Sequence, residues 1–172
     1  MRFVLPISLA SLIFLHACGA KEDDAVEDDM AADQEVLGSY DIDPESGEVR
    51  ATHTDAAGVT TTMRAGEKVA ARLPDPFTLY PGATVTNTTR VDQGKGAFVT
   101  IEFTTPDDRE KVVEFYRKQL GDAGIQPEVE VSAGATTTLG GENRQKRASF
   151  ALQVTRVSAL TEGQVSVANG FD

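Results

Sequence analysis

The sequence predicts an α+β fold: an antiparallel sheet of about four to five strands with one amphipathic helix packed on one face, preceded by a small β-meander. Three observations predict it. Ala97 to Thr104 alternates cleanly, with Val99, Ile101 and Phe103 on one side of a strand and Phe98, Thr100 and Glu102 on the other. Downstream, Val112, Val113, Tyr116, Leu120 and Ala123 repeat at helical spacing. The links between periodic segments have hairpin length, so neighbouring strands run antiparallel and the helix covers the sheet's apolar side.

The chain opens on a segment set apart from the fold. Arg2 supplies a positive start, Phe3 to Leu15 an apolar run broken by Pro6, Ser8 and Ser11, and Ala17 a small residue before Cys18. This apolar run falls short of the roughly 20 residues needed to span a bilayer as a helix, which makes residues 1–17 a signal peptide. Leu15-His16-Ala17-Cys18 resembles the lipobox of bacterial lipoproteins, with His16 standing where a small residue is more usual. The resemblance implies cleavage after Ala17, thioether lipidation of Cys18 and acylation of the new amino terminus. Two or more acyl chains anchor a protein stably to a membrane. By the sorting rule of such lipoproteins, Gly19 after the Cys points to the outer membrane, facing the periplasm.

Residues 18–35 are expected to form a disordered tether. Eight acids between Lys21 and Glu35 face one lysine, and a segment so charged cannot bury enough apolar area to offset its ordering entropy. Like charges keep it extended, with a reach below roughly 60 Å.

Composition excludes several function classes. Without residues 1–17 the chain keeps 15 basic against 27 acidic side chains, a charge of −12. This argues against nucleic-acid binding, which needs a basic face. His53 and Cys18 are then the only imidazole and the only thiol, and the resemblance implies that Cys18 is lipidated, so no zinc or copper site is expected. Asp41, Asp43 and Glu45 alternate as in a calcium loop, but Ser46 and Thr52 stand where Gly and a bidentate Glu belong. No nucleophile elbow, P-loop or dinucleotide fingerprint is present, and the sequence implies no cofactor.

The remaining elements follow in order. Residues 36–66 read as the meander: Asp43-Pro44-Glu45-Ser46-Gly47 and Asp55-Ala56-Ala57-Gly58 turn it, Val49, Ala51 and His53 share one side, and Val59, Thr61 and Met63 share another. It is marginal alone, so it leans on the main domain or stays partly mobile. The α+β domain is expected over 73–172. It opens on Leu73-Pro74-Asp75-Pro76 and a type II turn at Pro81-Gly82, followed by a strand over Val85 to Val91. A hairpin at Gln93-Gly94-Lys95-Gly96 leads to the strand around Ile101. The helix is expected over about 106–122, capped by Thr105 with Pro106 in its first position and ended by Gly121 or Gly124. The pair Phe115-Tyr116 reads as core. Ser132 to Gly141 reads as a loop or frayed hairpin, Phe150, Leu152 and Val154 as a strand with a bulge before Val157, and Val165 and Val167 as a last short strand.

Leu73-Pro74, Leu79-Tyr80-Pro81-Gly82-Ala83, Phe115-Tyr116, Leu120 and Gly124 together resemble a small α+β domain of uncharacterised bacterial lipoproteins, over roughly residues 73–158. The resemblance implies a fold and carries no catalytic residue. The main expectation is a lipid-anchored, periplasm-facing envelope lipoprotein with a non-catalytic interaction domain, docking on an envelope protein or cell-wall polymer. Arg144, Lys146 and Arg147, the one basic cluster, form a candidate interaction patch. The alternative is a binding module for a small or lipidic ligand held between helix and sheet. A carboxylate-dependent hydrolase comes third.

Overall fold

Alternation of Val99, Ile101 and Phe103 builds β5 (Gly96–Thr105), with these three side chains buried on one face. In the computed structural model, which describes residues 38–171, this strand is the middle of a nine-stranded antiparallel sheet. The described residues lie in one compact unit, Glu35–Asp172. Before β5 come β1 (Gly38–Ile42), β2 (Val49–Thr54), β3 (Thr60–Gly66) and β4 (Thr84–Gln93). After it, the helix α1 (Arg109–Ala123) leads to β6 (Val129–Ala133), β7 (Thr136–Asn143), β8 (Ala148–Val157) and β9 (Leu160–Asn169). The order in space is β1-β2-β3-β4-β5-β9-β8-β7-β6. The last hairpins thus fold back and β9 closes against β5.

The α+β class holds, with more strands than expected, for two physical reasons. The meander does not lean a face on the domain; β3 pairs with β4 from Thr61↔Gln93 to Gly66↔Thr88, and the sheet runs on through it. The stretch from Ser132 to Gly141 is ordered as the β6–β7 hairpin, although Leu139 is its only large apolar residue. Hydrogen bonding to β8 holds β7 in place where side-chain hydrophobicity would not.

The core lies between α1 and the sheet. Val112, Val113, Tyr116, Leu120 and Ala123, the expected stripe, pack with Phe103, Leu139, Phe150, Leu152, Val154, Val165 and Val167. The helix starts at Arg109, three residues later than expected. Thr105 does not cap it: its Oγ1 accepts only from the Asp107 amide, at 3.3 Å. Two groups from the strands hold Pro106 to Asp108 outside the helix. Thr161 Oγ1 donates to the Asp107 carbonyl at 2.7 Å, and Arg156 Nη1 donates to the same oxygen at 2.8 Å. Asp108, in an extended conformation, stands at the cap position. Gly124, at φ 72°, ends the helix. Its amide bonds to Gly121 and the Ile125 amide to Leu120, closing a Schellman motif over two buried apolar side chains.

Two further expectations change. No bulge precedes Val157, whose register with Leu160 is continuous; Val157 points to the other face at the strand's end. The register shift falls instead between Val85 and Asn87 in β4. The turn at Pro81-Gly82 is as read, with Gly82 at φ 74° and the Ala83 amide bonded to the Tyr80 carbonyl.

Candidate functional site

Residues 73–83 form a strap over the helix side of the core. Leu73, Phe77 and Tyr80 are its buried anchors. Phe77 stacks on Phe150 of β8 at a centroid distance of 5.0 Å, and Tyr80 meets Phe115 edge-on at 5.2 Å. Phe115 meets Tyr116 at 5.0 Å, and Tyr116 lies 5.6 Å from Phe150. These five rings form a continuous aromatic seam from strap to helix to sheet. Tyr116 is therefore core, whereas Phe115 is only partly buried and packs against the core from its edge.

Polar contacts fix the strap to α1. The Thr78 amide donates to Gln119 Oε1 at 2.8 Å, and the Tyr80 amide donates to Tyr116 Oη at 3.1 Å. Tyr80 Oη donates to Asp107 Oδ2 at 2.9 Å. Burial pushes the Tyr116 phenol well above its ordinary pKa, so this ring stays neutral. Burial raises Tyr80 as well, with the Asp107 contact adding to it. The Tyr80 hydroxyl, followed by Lys111, holds Asp107 below the usual carboxylate range.

Two spaces flank the strap. On one side an open groove of about 410 Å3 is floored by Tyr80, Pro81 and Phe115 and edged by Asp107, Lys111, Glu114 and Lys118. Lys111 Nζ pairs with Asp107 at 3.2 Å. On the other side a smaller cavity of about 110 Å3 sits beneath Pro76 and Phe77, against Ala123, Ile125 and Val167. Ligand pockets commonly occupy about 300–1,000 Å3 with apolar walls and a few placed polar groups. The groove meets that size and composition; the cavity has room for a chain end.

The basic cluster is brought to the β7–β8 turn, but its three members do different work. Lys146 Nζ donates to the Ala123 carbonyl at 2.9 Å, a cation on the negative end of the helix. Arg144 pairs with Glu142. Arg144 and Arg147 edge a shallow groove of about 310 Å3 with Ser149 and Phe171. His53 is exposed on β2. Asp43 makes a turn, its Oδ1 accepting from the amides of Glu45 and Ser46. No group of acids, histidines or cysteines among the described residues could hold a metal ion. Glu48 is the only buried acid among them, and it accepts from Arg50 and Arg64. Leu15, His16, Ala17 and Cys18, with the tether, lie outside the described residues.

Residues 85–164 match the model of a START domain-like family. The matched span runs from β4 into β9 and contains the whole of α1. It overlaps the region in which the sequence resembles the lipoprotein domain. No curated protein and no solved structure matches the chain. Sequence reasoning did not single out Lys111 and Lys118, or place Tyr80 in the wall of a groove. Their signal was present in Tyr80-Pro81-Gly82, which places a ring at a fixed turn, and in two lysines spaced i, i+7 on the helix.

Proposed function

We propose that the domain is a non-catalytic binding module for a small amphipathic or lipidic molecule, taken up along the strap between helix and sheet. One observation carries this reading: the START-like segment contains the helix of an aromatic-floored groove of ligand size, edged by Lys118 and by Lys111, the latter paired with Asp107, with Glu114 between them. Tyr80, Pro81 and Phe115 would hold an apolar tail, and Lys111 and Lys118 an anionic head.

The test is binding of a fluorescent fatty acid to the purified chain. Saturable binding at one site is expected, weakened at least tenfold in Phe115→Ala while circular dichroism is unchanged. No saturation, or equal affinity in Phe115→Ala, would overturn the site.

The same proposal includes an address. The lipobox resemblance supports a Cys18-anchored protein of the outer membrane, exposed to the periplasm, which would carry its ligand at a membrane surface. Cys18→Ser should leave an unacylated chain in the soluble envelope fraction. Retention of that variant with membranes would sink the anchor.

A further inference from the structure

A second surface runs across β1–β5 and β9. Directly paired residues of an antiparallel sheet point to the same side. The row Tyr40–Ala51–Met63–Val91–Phe98–Ala168 therefore crosses six strands on the face opposite the helix. The next row, from Ile42 to Ser166, is equally free of charged residues, and the rows that flank these two carry His53 on one side and Glu102 on the other. In a chain with 25% charged residues this is a marked asymmetry. The other side of the same strands places Asp41, Arg50, Arg64 and Arg90 in one row, with Glu48 and Asp92 pairing the arginines. Charge has been confined to one face of β1–β4. Tyr40 is 67% exposed and Ile42 53% on the other.

We propose that this uncharged face is where two copies of the chain meet, sheet against sheet. A two-fold contact sets a patch against itself, so a charged patch would repel its own copy and an uncharged one does not. Elsewhere residues 36–172 carry 14 basic against 19 acidic side chains, a net charge of −5 that disfavours contact between copies. An anionic membrane surface is the poorer occupant, because such surfaces are gripped by Lys and Arg, and the two rows hold none. Two sheets pack about 10 Å apart with strands within about 30° of alignment, which suits the Thr, Val, Met and Phe side chains here. With strands about 4.8 Å apart, the two rows cover about 24 Å by 14 Å. That is less than the roughly 800 Å² each partner gives to a standard interface. The dimer is thus weak, and it depends on concentration.

Sedimentation equilibrium of residues 18–172 carrying Cys18→Ser, which excludes a disulfide, tests this at concentrations up to about 500 µM, where an association of sub-millimolar Kd is populated. A reversible monomer–dimer equilibrium is expected, tightening as salt screens the like-charged copies. Met63→Lys should weaken it at least tenfold with circular dichroism unchanged. Thr62→Lys, on the opposite face of the same strand, should leave it as it is. Should Met63→Lys fail to fold, Tyr40→Lys at the exposed edge makes the same test. A chain monomeric throughout, or an equal dimer in Met63→Lys or Tyr40→Lys, overturns the proposal. So does a chain that stays monomeric but floats with neutral phosphatidylcholine vesicles, which would assign the face to lipid.

Discussion

Gly121 and Gly124 stand three residues apart at the end of α1 and face opposite demands. Gly124 adopts φ 72°, and a side chain there costs about 1–2 kcal/mol whatever the space around it. Gly121 lies within the helix, and a methyl group on it meets nothing within 4 Å. Gly121→Ala should stabilise the domain by about 0.5–1 kcal/mol, by helix propensity and reduced unfolded-state entropy, whereas Gly124→Ala should destabilise it. Urea midpoints at unchanged slope read both shifts; movement in the same direction would refute the C-terminal geometry. Other glycines answer to crowding. A Cβ on Gly163 would come within 2.3 Å of Phe103 Cζ, and one on Gly141 within 2.3 Å of the Gln126 carbonyl. These two requirements are illegible in sequence, since the crowding partners lie 60 residues away in one case and across a hairpin in the other.

Periodicity made the elements legible where one face is buried and the other wet. The helix stripe, the alternation through β5 and that of Phe150, Leu152 and Val154 all occupy such positions. β7 escaped because Thr136-Thr137-Thr138-Leu139-Gly140-Gly141 has small residues at positions that tight approach demands, so hydrophobicity carries no signal. The helix start escaped for a related reason. Pro106 and two acids satisfy every local rule for a first turn, and the groups that pull this segment away, Arg156 and Thr161, come from β8 and β9. Of the candidate site, Tyr80 and Phe115 were visible as apolar positions only. Their shared groove exists because the strap folds back over α1, a contact set by Thr78–Gln119 and Tyr80–Tyr116 bonds between residues some 36 to 41 positions apart.

For the whole molecule, stability should describe a dome in pH. Hydrogen bonds from Arg64 and then Arg50 hold Glu48 below its ordinary value of 4.5. Asp107, held down by the Tyr80 hydroxyl and Lys111, and Asp43, held down by the Ser46 and Glu45 amides, lie below 3.8. For a depressed carboxylate the unfolded chain takes up protons first. Its contribution is present above the unfolded value and lost as pH falls through the folded one. Below an isoelectric point near 4.6 the 16 basic side chains also repel with fewer anions between them, so both effects act against the fold. Tyr80 and Tyr116 set the other limb. Their raised values mean that the unfolded chain loses protons first, and stability falls as pH rises past 10.0. Urea midpoints should therefore be level from about pH 5 to 9 and drop on both sides. Glu48→Gln should lower the plateau and flatten the acid limb, because it removes a buried carboxylate on which two guanidinium groups converge. An acid limb of unchanged steepness in Glu48→Gln would assign the acid transition to Asp107 and Asp43 instead.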